Sequence, residues 1–335
     1  MTSYIFSFKY KVLLRRLIIF AVVYCIALTV SGVFPLMKDG KTIYMSLHKI
    51  NTKPGTDESY SLLKFREIDE FHNLDILFLG SSHMYQNVDN TIFEEYGYRT
   101  LNLGTSGQTP LNSYYLLREH LHKLKPKLIV YEVFPNLLAS DGYSAYANLA
   151  VNKKISLELI QMGVQTKNLQ FINILGISLI QNIHRDLKDV VQSAKYSGHK
   201  TKYFPGGFSA ILDEGYDNSD ETDAIDVKVN NGQLYYLEKT LALIREKNID
   251  CVVITVPFVN SDTSVFSNYN DVTSQYKALI DRQGFRLIDY NQKVSYEKDI
   301  YNDWGHFNYV GARRFTEFLR QDLEQEMNLS KFKNP

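Results

Sequence analysis

The stretch that most limits what this chain can fold into is Ile76-Leu77-Phe78-Leu79 running straight into Gly80-Ser81-Ser82-His83. Four consecutive apolar residues, with no polar alternation, describe a strand buried on both faces, and the glycine and serines end it at a turn that leaves a hydroxyl at its carboxyl tip. Doubly buried strands belong to parallel sheets covered by helices, where ligands bind beyond the carboxyl ends of the strands. A serine at that tip becomes a nucleophile only if a base and an oxyanion site reach it from elsewhere in the chain.

The rest of the pattern fits such a sheet. Apolar segments at Tyr98–Leu103 and Lys127–Val133 flank a helically spaced stretch, Leu111 to Leu124, so strand, helix and strand succeed one another as a βαβ unit. A helix over Tyr60–Phe71 precedes them, and Thr91-Ile92-Phe93-Glu94 reads as a capping box. Further on, a helix over Leu234–Lys247, a strand over Asp250–Val256, a helix over Val272–Gln283 and a strand over Arg286–Asp289 make a second passage, closed by a helix from about Val310 to Met327. The expected fold is an α/β three-layer sandwich, flavodoxin-like, with a parallel sheet of roughly five strands. Residues 137–231 form an insertion whose amphipathic segments, Ile155–Val164 and Ile172–Val191, and Gly-rich tail define no fold.

Before this domain, 21 uncharged residues run from Leu17 to Met37 behind Lys9, Lys11, Arg15 and Arg16. That length crosses a bilayer core, and the basic flank keeps the amino terminus inside. It exceeds the apolar core of a cleaved secretory signal. The expected organisation is a cytoplasmic segment over 1–16, a single transmembrane anchor over 17–37, a linker over 38–59 and an extracytoplasmic domain over 60–330, held at the cell membrane. Acidic and basic residues balance at 37 each, which argues against nucleic acid as a partner. Cys25 lies in the apolar run and Cys251 begins a strand, so neither a disulfide framework nor a Cys-based metal site is expected.

Four strand-end loops then offer Ser82, Gly107, Asn136 and the pair Asp303/His306. A serine hydroxyl needs an imidazole to take its proton, and the imidazole needs a carboxylate to set its tautomer. His306 and Asp303 are typed for those roles. An oxyanion formed on an attacked carbonyl needs preorganised donors, which the Ser82 and Gly107 amides and the Asn136 side chain could supply. Taken singly, Ser82 and Asn136 are equally well read as turn residues satisfying backbone groups.

Together these residues resemble the SGNH (GDSL-like) hydrolase and acyltransferase superfamily. Gly80-Ser81-Ser82 looks like its first block, with Ser81 where an Asp is usual. Asn102-Leu103-Gly104-Thr105-Ser106-Gly107 is similar to the second, Glu132-Val133-Phe134-Pro135-Asn136 to the third, and Asp303-Trp304-Gly305-His306 to the last. The resemblance covers residues 75–136 and 250–325. It implies catalytic Ser82, His306 and Asp303, an oxyanion hole of Ser82, Gly107 and Asn136, and no cofactor or metal. The Gly-Ser-Ser variant is similar to membrane-anchored members, which implies O-acetylation of a cell-surface or secreted polysaccharide through a Ser82 ester, with a multi-span membrane acyltransferase as acyl donor. An extracytoplasmic esterase or lipase, or a catalytically silent carbohydrate-binding or assembly protein, is the alternative.

Other residues draw simpler readings. His83 could lean over the nucleophile, but the expected place for it is a loop position facing solvent or the sheet edge, and His120 and His122, two apart on a helix, do not share a metal. Aromatic residues in Tyr131–Tyr146 and Tyr203–Tyr216 could stack on sugars, although buried packing explains such rings more often. The acidic run Asp213–Asp226 reads as a solvated loop, the alternative being a calcium site without a recognisable loop spacing.

Overall fold

The computed structural model describes residues 10–27, 59–183, 193–196, 199–217 and 224–334. Five strands form a parallel sheet: β1 (Ile76–Leu79), β2 (Thr100–Asn102), β3 (Leu128–Glu132), β7 (Asp250–Thr255) and β8 (Arg286–Asp289), in the order β2-β1-β3-β7-β8. Alternate residues of each strand point to opposite faces, and both faces are apolar. Ile76, Phe78 and Val130 enter one core, shared with α3 (Asn90–Glu95) and α10 (Tyr309–Met327). Leu77, Leu79 and Ile129 enter another, shared with α4 (Pro110–Leu124), α8 (Asn231–Glu246) and α9 (Tyr269–Arg282). The layers are therefore helix, sheet, helix.

Strand order places the loops after β1, β2 and β3 side by side at one edge, with Ser82 from the middle strand. The helices leave that edge with strong local signals. Thr109 and Asn112 form a capping box ahead of Pro110, which needs no amide partner at the first helical position. The helix after Ser82 differs from the expected capping box at Thr91. It begins at Asn90, because Asp89, one residue before, accepts the Thr91 amide and outcompetes the threonine as cap.

The insertion has a defined fold. Helices α5 (Tyr143–Asn152), α6 (Leu157–Gln165) and α7 (Phe171–Ile183) are followed by an antiparallel sheet of β4 (Ser193–Tyr196), β5 (His199–Phe204) and β6 (Phe208–Ile211). The β5–β6 turn docks on the edge strand β2. The Asn102 amide donates to Gly206 O at 2.7 Å, and Glu67 of α1 (Ser61–Glu67) accepts from the Gly206 amide and the Tyr203 hydroxyl. Gly207 sits at φ +106°, and a Cβ there would lie 2.1 Å from Asn102 O. Gly207→Ala should therefore combine left-handed strain with a backbone collision, costing on the order of 1–3 kcal/mol or more. Calorimetry should show a thermal midpoint lower by several degrees, and a wild-type midpoint would refute this docking.

The aromatic rings considered for sugar stacking are mostly core. Tyr131, Tyr146 and Tyr203 are buried. At the amino terminus, residues 10–27 form a helix whose Leu17, Ile18, Ile19 and Phe20 are each more than half exposed. Among the described residues, no helix is long and apolar enough to cross a membrane. Residues 28–37 of the expected span, and the linker to residue 58, lie outside the described residues.

Candidate active site

Ser82 is the first residue of α2 (Ser82–Tyr85), the one-turn helix that follows β1. Its Oγ lies 2.8 Å from His306 Nε2, and His306 Nδ1 lies 2.8 Å from Asp303 Oδ2 and 3.1 Å from Oδ1. An ionised carboxylate only accepts, so Nδ1 carries the imidazole proton and Nε2 is left to accept from the serine. Residues 221 positions apart in the chain thus meet as one relay.

The Asp-x-x-His spacing works because Asp303 caps its own turn. Its Oδ1 accepts from the Gly305 and His306 amides at 2.8 Å each, which folds the loop back until the two side chains meet. Burial pushes the Asp303 carboxyl up, but the His306 charge and these hydrogen bonds outweigh it and hold it well below the usual carboxylate range. It is therefore ionised at neutral pH.

The oxyanion candidates come from the loops after β2 and β3, the strands on either side of β1. Gly107 occupies the left-handed region at φ +62° in the loop after β2, and Asn136 lies in the 3-10 turn Pro135–Ala139 after β3. Both are half-buried. Among the described residues, the amides of Ser82 and Gly107 and the side chain of Asn136 donate no hydrogen bond. The loops are tied to each other: the Thr105 amide donates to Gly80 O, and Asn102 binds Met84 O, Val88 O and the Gly104 amide.

Several residues with no motif of their own hold this arrangement. Asn87, fully buried, donates to Gly305 O at 2.8 Å and accepts from the Phe307 amide at 2.9 Å, so it brackets His306 from both sides. Asn87→Ala would strand two buried backbone groups at about 1–3 kcal/mol each. The expected result is a lower thermal midpoint together with slower turnover; unchanged values of both would remove Asn87 from the site's support. Lys64 of α1, buried, donates its ammonium to Gly104 O and lies 5.1 Å from the Tyr85 ring centroid.

His83 corrects the expectation of a solvent-facing residue. It is 2% exposed, stacked on Phe134 at 4.0 Å between centroids and 4.7 Å from the His306 ring. Gly305 makes room for it, since a Cβ there would come within 2.7 Å of the ring. Burial first, and the His306 charge second, hold it well below the ordinary histidine range, so it is neutral. Phe134, Phe258 and the half-buried Trp304 complete an aromatic wall beside the nucleophile. The signal in sequence was adjacency: a residue after a strand-tip serine turns inward with the helix it starts. His120 and His122 do not belong to the site, and among the described residues no group of three or more metal-ligand types comes together.

No protein-family model and no curated relative matches the chain by sequence. Solved structures of similar architecture exist. A Streptococcus pneumonia protein provisionally described as a platelet activating factor has 12% identity and a TM-score of 0.43, with 80% of this chain and 92% of that one covered. A GDSL-like lipase from Bacteroides thetaiotaomicron has 11% identity and a TM-score of 0.38, covering 75% and 88%. A catalytic mutant of an acetylxylan esterase from Geobacillus stearothermophilus has 11% and 0.38, covering 75% and 94%. At these values the likenesses carry no weight for activity, and the hydrogen-bonded side chains must carry it alone.

Proposed function

We propose that this chain is an SGNH-type serine enzyme that transfers an acyl group through an ester on Ser82. The observation that carries the reading is the Ser82–His306–Asp303 relay at the carboxyl edge of the sheet. Ser82 Oγ attacks the acyl carbonyl as its proton passes to His306 Nε2, and the Ser82 and Gly107 amides with Asn136 receive the oxyanion. His306 returns the proton to the leaving group. An acceptor hydroxyl then gives its proton to His306, attacks the ester and frees Ser82.

In this reading the physiological acceptor is a hydroxyl of a cell-surface or secreted polysaccharide and the acyl group is acetyl. The uncharged run Leu17–Met37 behind Lys9, Lys11, Arg15 and Arg16 supports an anchored, extracytoplasmic enzyme, and anchoring would place the site where a multi-span membrane acyltransferase could hand over the acyl group. Hydrolysis by an esterase uses the same relay with water as acceptor, so only the acceptor distinguishes the two. Orientation of a bound acceptor can be worth about 7–11 kcal/mol against water.

The full chain in detergent, given a small activated acetyl ester, should label with a serine-reactive probe at Ser82 and turn over slowly. Added acceptor glycan should accelerate turnover and become acetylated. Fast turnover in water, with no surface polymer acetylated, would replace transfer by hydrolysis. No labelling at Ser82 would end the enzymatic reading, and a carboxyl-terminal reporter active in the cytoplasm would end the anchored one.

A further inference from the structure

Beneath the nucleophile lies a second carboxylate. Glu132 is the last residue of β3, one past Tyr131, which pairs with Leu79 of β1. Its side chain, 3% exposed, therefore reaches sideways under Gly80 and Ser81. Oε2 accepts from the Ser81 amide at 2.7 Å and from Ser81 Oγ at 2.9 Å. Ser81 Oγ in turn accepts from the His83 amide at 3.2 Å, so its single proton is committed to Glu132. Gly80 is required for this approach: a Cβ at residue 80 would stand 2.5 Å from Glu132 Oε2.

A cap alone does not call for a charge. A glutamine oxygen could accept both Ser81 donors without the penalty of burying a carboxylate held by only two hydrogen bonds, both from one residue. Glu132 holds Ser81, whose neighbour Ser82 lies 2.8 Å from His306, and among the described residues the titratable groups close enough to interact with it are His306, Tyr131 on its own strand and Tyr276 of α9. Of these, only the imidazole becomes a cation. Among the described residues, His306 is hydrogen-bonded to Asp303 and Ser82, lies 4.7 Å from the His83 ring, and is joined to Glu132 through the Ser81-Ser82 turn.

We propose that Glu132 is a positioning residue of the catalytic centre: it holds the Ser81–Ser82 turn in register, and its negative charge stabilises protonated His306 alongside Asp303. The inference rests on the acyl-transfer reading of the relay. Burial pushes the Glu132 carboxyl up to about 7, against the pull of the Ser81 hydrogen bonds and the His306 charge. That opposition ties the charge of Glu132 to the state of His306, and by reciprocity each biases the other.

The test is the pH dependence of kcat/KM of the full chain toward a small activated acetyl ester. Glu132→Gln keeps the shape and the acceptor but removes the charge. It should lower kcat by about 10–100-fold with little change in KM, as loss of an orienting partner does. It should also move the acid limb down by about half a pH unit or more, because a cation loses a neighbouring anion. Ser81→Ala, which leaves the amide bond to Glu132, should slow turnover while keeping the acid limb where the wild type has it. A Glu132→Gln enzyme with the wild-type acid limb would overturn the proposal and leave Glu132 a structural cap.

Should Glu132→Gln fail to fold, carbon-13 NMR of the Glu132 carboxyl in wild type and in His306→Ala decides the point. Coupling predicts titration at higher pH once His306 is gone, and an unmoved titration refutes it. These outcomes are separate from failure of the enzymatic reading, which would appear as no probe labelling at Ser82 in the wild-type protein.

Discussion

Ser82→Ala and His306→Ala should each lower kcat/KM toward an activated acetyl ester by about 10⁴–10⁶-fold, and the double variant should be little worse than either. The reason is the 2.8 Å contact between Ser82 Oγ and His306 Nε2. Without the imidazole the hydroxyl keeps its proton, and without the hydroxyl there is nothing for the imidazole to activate, so the second deletion removes a function already lost. Both side chains are half-buried at the surface of the site rather than in its core. Their thermal midpoints should therefore stay close to wild type. Independent, multiplying losses would show that the two residues do not act as a unit.

Asp303→Asn should cost about 10⁴-fold at neutral pH. An asparagine that keeps the Gly305 and His306 amides as donors presents its oxygen to them and its NH₂ to Nδ1. The imidazole proton is then forced onto Nε2, the atom that must accept from Ser82. Stability should change as well: Asp303→Asn lacks at neutral pH a contribution that the wild type holds there and loses only in acid. Asp303 has a depressed carboxyl in the folded state, so its contribution is present above the ordinary aspartate value near 4 and is lost as pH falls through the lower folded value. The wild type should lose stability across that window more steeply than Asp303→Asn, measured by denaturant midpoints between about pH 5 and pH 2. Equal slopes would mean the carboxylate is not held by the fold.

The parallel sheet could be read from sequence because its central strands β1, β3 and β7 carry near-continuous apolar runs, which few other structures require. Ser82, Asp303 and His306, which the fold hydrogen-bonds together, were readable because turn residues and chemical types coincide at strand ends. The insertion was not readable: its β5 and β6 are stabilised by contact with Glu67 and Asn102, more than a hundred residues earlier, and local pattern carries no trace of such pairing. Nor were the supports of the site. Asn87, Lys64 and Glu132 act through backbone groups and buried charges whose partners are supplied by other strands and loops. His83 was misread for the same reason, since its burial is created by Phe134 and Trp304 from distant segments.

The docking of Gly206 on Asn102 also bears on how the chain assembles. β2 is a three-residue strand at the rim of the sheet, and an unpaired rim offers open amides and carbonyls to any passing strand. The turn that closes it comes from the insertion, about a hundred residues later in synthesis. At roughly 5–20 residues per second, the nascent sheet spends several seconds with that rim bare. The insertion thus shields a vulnerable border from self-association, and deleting it should yield aggregates before it yields an open active site.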